Sequence, residues 1–179
     1  MGGTHFVSTR LSSRHGKRVR FWLFAVWFSV LPGCATFIVD QVTSEGPTAE
    51  KVWKHRFAQT NQRTPGFEEK LSFQDQLDTR VRQYLARNPE AANSLRVSNL
   101  RFWYQASAGM TKEEVRLLLG TPDEVTAAPT RMAALARKFW PEVKEKAKEA
   151  WTYPDGWTLF FDGERLVTLT QYRRKFWQD

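Results

Sequence analysis

The chain has almost no cysteine and almost no histidine. Cys34 is the one cysteine in 179 residues, and His5, His15 and His55 are the three histidines. A single thiol has no disulfide partner. Two of the histidines fall in the first 33 residues, so His/Cys metal-ligand spacing cannot be assembled beyond them. A Ser-His-Asp arrangement rests on His55 alone, which reads as a solvated surface residue. No Gly-rich phosphate loop occurs, and no internal repeat is visible. No carboxylate pair is singled out for acid/base work. The expectation is a non-enzymatic chain with no catalytic residues, no metal and no cofactor.

Acidic residues are missing from residues 1–33, which hold five Lys/Arg: Arg10, Arg14, Lys17, Arg18 and Arg20. The net charge of +8 owes most of its size to that stretch, since the remainder has 22 basic against 19 acidic residues, a net +3. So mild and interleaved an excess argues against a nucleic-acid partner. Charge of either sign is then absent from Phe21 to Val39, a run of 19 residues. Its length is close to a bilayer span, but Pro32-Gly33 interrupts it.

Basic residues, an apolar stretch from Phe21 to Leu31, and Leu31-Pro32-Gly33-Cys34 together resemble a bacterial lipoprotein signal with its lipobox. The resemblance implies cleavage before Cys34, and acyl chains on its thiol and new amine. An uncleaved membrane anchor and a buried core cysteine are the alternatives. We favour the lipoprotein reading. It leaves 146 residues, enough for one modest domain.

Residues 34–71 read as a tether, with Gly46-Pro47 and Pro65-Gly66 as breakers and a short helical turn at Val52, Trp53 and Phe57. A helical lead-in covers 72–105. Phe73, Leu77, Val81, Tyr84 and Leu85 recur at helical spacing. Asn88-Pro89 ends that helix, and a weaker one follows from Glu90 to about Phe102, with Leu95, Leu100 and Trp103 as apolar points. Thr111-Lys112-Glu113-Glu114 is a capping box, Val115, Leu118 and Leu119 form its buried stripe, and Gly120 then Pro122 stop the helix. From Thr130 to Lys148 another helical stretch is interrupted by Pro141. Residues 150–153, 157–161 and 166–172 read as strands, with turns at Pro154-Asp155-Gly156 and Asp162-Gly163. Arg173-Arg174-Lys175 lies beside Phe176 and Trp177.

Gly109-Met110-Thr111-Lys112-Glu113-Glu114-Val115, Leu119-Gly120-Thr121-Pro122-Asp123, Trp151-Thr152-Tyr153 and Leu159-Phe160-Phe161-Asp162-Gly163 resemble the BamE-like (SmpA/OmlA) lipoprotein domain over about 106–172. The resemblance implies an α+β fold, two helices on a small three-stranded antiparallel sheet. Residues 126–149 depart from it as a helical insertion, expected to be dispensable for the core. Another sheet face or an edge is then available for partners, and at least one of Trp157, Phe160 and Phe161 lies away from the core.

The resemblance further implies a membrane-anchored interaction protein supporting outer-membrane protein assembly or envelope integrity through a protein partner. Ala35 after the acylated cysteine favours the outer membrane, facing the periplasm; inner-membrane anchoring is the alternative. The competing functions are an envelope hydrolase, and a membrane-surface module in which 130–148 lies on lipid.

Overall fold

A computed structural model of the protein describes residues 37–175, with side chains for 38–173. Leu31, Pro32, Gly33 and Cys34 lie outside the described residues. The elements are β1 (Phe37–Thr43), β2 (Glu45–Thr48), α1 (Ala49–Asn61), α2 (Phe67–Arg87), α3 (Pro89–Ala92), a π turn (Asn99–Trp103), β3 (Gln105–Ser107), α4 (Lys112–Leu119), β4 (Glu124–Thr126), α5 (Pro129–Ala136), a 3-10 turn (Arg137–Phe139), α6 (Trp140–Val143), β5 (Glu149–Tyr153), β6 (Trp157–Asp162) and β7 (Arg165–Lys175). The fold is α+β.

The sheet is larger than three strands. It has five, in the order β1-β7-β6-β5-β4, all antiparallel, and β2 and β3 form a separate ribbon. Two of the added strands come from the segment expected to be a tether. β1 pairs along β7, with Gln41 opposite Gln171. Gly46-Pro47 is not a turn but the middle of β2, where a Cβ on Gly46 would lie 2.5 Å from the Leu169 side chain. Glycine serves close approach there, not chain reversal. The weak helix from Glu90 also resolves differently, into α3 and the π turn. Ser94 Oγ donates to the Ala91 carbonyl at 2.8 Å, the local bonding by which serine competes with a continuing helix.

Alternation along β6 divides the core. Leu159 and Phe161 face one side and Phe160 the other, and all three are fully buried. On the first side they join Trp151, Leu166 and Leu169 under α1, α2 and α4. Leu166 and Leu169 are three residues apart, so strict alternation would separate them. A bulge between the Phe160–Thr168 and Phe161–Leu166 pairs returns both to the same face. On the second side Phe160 and Ala150 pack under Met132, Ala136, Val143 and Ala147.

Neither face of β5 and β6 is therefore open, and the 126–149 insertion is not an appendage. Phe160 does turn away from the main core, as strand alternation requires, but into this second one. The insertion divides as Pro141 implies. Arg137, at φ 56, breaks the chain between α5 and the 3-10 turn, and Pro141 opens α6. Its apolar residues Met132, Ala136, Val143 and Ala147 are buried against the sheet.

Candidate interaction surface

The residues of the sequence motif converge on α4 and its supports. Gly109, at φ +89, turns the chain into the helix, and its N–H donates to the Leu166 carbonyl at 2.6 Å. Met110 is fully buried. Thr111 Oγ1 accepts from the Glu114 N–H at 3.1 Å, and Glu114 Oε2 accepts from the Thr111 N–H at 2.7 Å. Val115 is buried below them, and Gly120 closes the helix at φ +75, with Pro122 two residues on. Trp151 and Tyr153 are buried on β5, while Asp162 and Gly163 form the β6–β7 turn, with Gly163 at φ +56. Each of these positions is explained by capping, packing or turning.

The end of α4 is finished by groups distant in sequence. Arg56 on α1 donates from Nη1 to the Leu119 carbonyl at 2.9 Å, and from Nη2 to the Thr121 carbonyl and to Asp123 Oδ1. Tyr153 donates its hydroxyl to the Gly120 carbonyl at 3.0 Å. These bonds satisfy carbonyls that a helix end leaves without partners. Burial pushes the Tyr153 hydroxyl far above its ordinary range, although Arg56 and Arg116 act against the shift. At the other end, burial and the Glu114 carboxylate raise the Tyr84 hydroxyl. Burial alone would raise Glu149 too, but hydrogen bonds from Lys112 and Trp151 outweigh it and hold that carboxyl low.

His55 is not free in solvent. Its Nδ1 lies 3.3 Å from Asp155 Oδ1, and Arg173 Nη1 reaches the same oxygen at 3.1 Å. The three join α1, the turn before β6, and β7.

What remains for recognition is an aromatic surface centred on Phe73 of α2. Trp53 stacks on Phe73 with ring centroids 4.4 Å apart and planes 10° apart, and Phe57 tilts against Trp53 at 5.5 Å. On one side of Phe73, Ala49, Trp53, Leu118 and Leu119 line an open groove of about 730 Å³, with Arg56 and Arg80 among its polar lining. On the other, Phe73 shares a cavity of about 260 Å³ with Leu77, Phe102, Trp103 and Tyr104.

Phe102 and Trp103 are 64% and 66% exposed. They ride on the π turn, a conformation often found at functional positions. Tyr104 ends that turn at φ +46, a costly value for a bulky residue. It is held there by the Ala49 N–H, which donates to its carbonyl at 2.8 Å, and by its hydroxyl on Asp78 at 3.1 Å. The backbone next to two large, exposed aromatic side chains is thereby held.

Phe73 and Trp103 are legible in the sequence as helical apolar points, but not as a surface. One signal was present: Phe102-Trp103-Tyr104 places three aromatics in succession, and no helical face buries three successive residues.

Comparison with protein-family models, with curated proteins and with solved structures finds no match for this chain.

Proposed function

We propose that this chain is a non-catalytic, lipid-anchored protein of the bacterial cell envelope that binds a protein partner through the Phe73 surface. The observation that carries the binding role is the exposed pair Phe102 and Trp103, next to the held Tyr104 and beside the Trp53–Phe73 stack. Aromatic anchors on a preorganised backbone are the usual core of a protein interface. The motif resemblance to BamE-like lipoproteins extends the proposal to support of outer-membrane assembly or envelope integrity.

Support for the acyl anchor over a spanning one comes from β1. Phe37, Ile38 and Val39 belong to that strand, so the uncharged run has only Phe21 to Thr36, 16 residues, left for a helix. At the α-helical rise that is about 24 Å, short of a hydrocarbon core of roughly 30 Å.

The test is affinity capture from detergent-solubilised envelopes with the full chain, wild type against Phe102→Ser/Trp103→Ser. The wild type is expected to recover a partner that the variant loses, with unchanged thermal melting because both side chains are exposed. Equal recovery by the two proteins would sink the proposed surface. Mass spectrometry of the processed protein tests the anchor: acylated Cys34 at the N-terminus supports it, and an unmodified Cys34 with residues 1–33 attached rules it out.

A further inference from the structure

We infer that the β1/β7 end of the domain rests directly on the phospholipid headgroups of the membrane that holds the anchor, with Arg173, Arg174 and Lys175 at the contact. The inference depends on the acylation of Cys34 proposed above and adds to it an orientation.

The first argument is reach. Only Ala35 and Thr36 separate Cys34 from Phe37, the first residue of β1. Three Cα–Cα steps span at most about 11 Å. The headgroup layer is itself roughly 5–8 Å deep on each side of a bilayer. An acylated cysteine sits at the inner boundary of that layer, so two residues barely clear it. A tether of several dozen residues leaves a domain free to face any direction; this linker does not.

The second argument is charge. Antiparallel pairing sets Phe37 opposite Lys175, Ile38 opposite Arg174 and Val39 opposite Arg173. Three successive basic residues therefore stand beside the first three residues of β1, where the chain emerges from its anchor. Lys138 joins them, with Nζ 3.1 Å from Asp40 Oδ2, and the Arg137 guanidinium lies 3.7 Å from the Tyr172 ring centre. The carboxylates facing this group, Asp40 and Asp155, are both ion-paired, to Lys138 and to Arg173 respectively. The excess is positive, and phosphate is its complement.

At the far end of β7 the charges are matched, Asp162 with Lys148 and Glu164 with Lys112. Asp162 and Glu164 flank Gly163 in the turn, and the Glu164 side chain is 77% exposed. Eleven residues of strand separate the two ends, about 35 Å at the usual rise.

The experiment uses the processed full-length protein in vesicles of phosphatidylethanolamine and phosphatidylglycerol. Nitroxide labels are placed at Ile38→Cys, which is exposed and removes no charge, and at Glu164→Cys. Power saturation then compares their access to an aqueous nickel chelate. The label at 38 is expected to be shielded at phosphate depth and the label at 164 to be fully aqueous. Two aqueous labels, or two shielded ones, would overturn the orientation.

An acylated R173Q/R174Q/K175Q variant is expected to raise nickel access at position 38. No change there overturns the role given to the three charges. The parent protein provides the separate control, because an acylated Cys34 takes no label. Labelling of the parent reports a free thiol and overturns the anchor, and the orientation with it. An unlabelled parent with an aqueous position 38 overturns the orientation alone.

Discussion

Arg56 Nη1 donates to the carbonyl of Leu119 at 2.9 Å, tying the middle of α1 to the last residue of α4 across 63 positions of sequence. That bond explains how an eight-residue helix, too short to be stable alone, is held at both ends. Its N-terminus is closed by its own residues and its C-terminus by residues of α1 and β5.

Removing those closures should therefore destabilise the domain in graded steps. Thr111→Ala loses an N-cap and should cost about 1 kcal/mol. Arg56→Met loses charge-assisted hydrogen bonds to two carbonyls and should cost about 2 kcal/mol. Gly120→Val should cost the most, because φ is +75 and a Cβ would lie 3.2 Å from Arg56 Nη1, so it strains the backbone and disturbs the same bond. Urea titration of the three variants orders them; equal midpoints for wild type and Gly120→Val would refute the account of this helix end.

How much of this was readable beforehand depended on range. The α4 cap is local, since Thr111 and Glu114 are three residues apart and report on each other, and both the box and the left-handed Gly120 follow from the sequence. The strands β5 to β7 are successive and joined by short turns, so period and turn residues place them. β1 was invisible for the converse reason. Gln41 pairs with Gln171, and Ile38 and Val42 point out to solvent, so no apolar alternation marks the strand. β2 was hidden because Gly46-Pro47 has turn composition, and only the neighbouring Leu169 shows why glycine is needed. The second core was hidden too: Phe160 and Met132 are each ordinary apolar residues until the bulged sheet fixes which way they face.

Tyr153 supplies a pH dependence. Its folded pKa is raised, mainly by burial, against an ordinary value near 10. The neutral phenol is thus favoured in the fold, so the contribution is complete below pH 10 or so. It is lost as pH rises beyond that, because the unfolded chain releases the proton first. Tyr153→Phe should cost about 1 kcal/mol at pH 8 through the lost bond to the Gly120 carbonyl. It should also flatten the fall in melting temperature between pH 9 and about 11. Melts of both proteins across that range decide it; parallel curves would mean that Tyr153 does not titrate with unfolding.

The 126–149 segment gives the sharpest contrast between expectation and structure. Were it an elaboration, replacing 128–148 with a short Gly/Ser linker would leave a cooperative transition intact. Phe160, however, is fully buried, and Met132, Ala136, Val143 and Ala147 are the residues packed over it. Without them the second face of β5, β6 and β7 meets water, and a large aromatic at the centre of a sheet is exposed. The replacement should broaden or abolish the thermal transition and raise binding of a dye that reports apolar surface. Phe160→Ala, which leaves the helices in place, should cost about 3–5 kcal/mol while keeping the transition cooperative. A linker variant that melts as sharply as wild type would show that the first core folds without the second, and that α5 and α6 merely cover a sheet already formed.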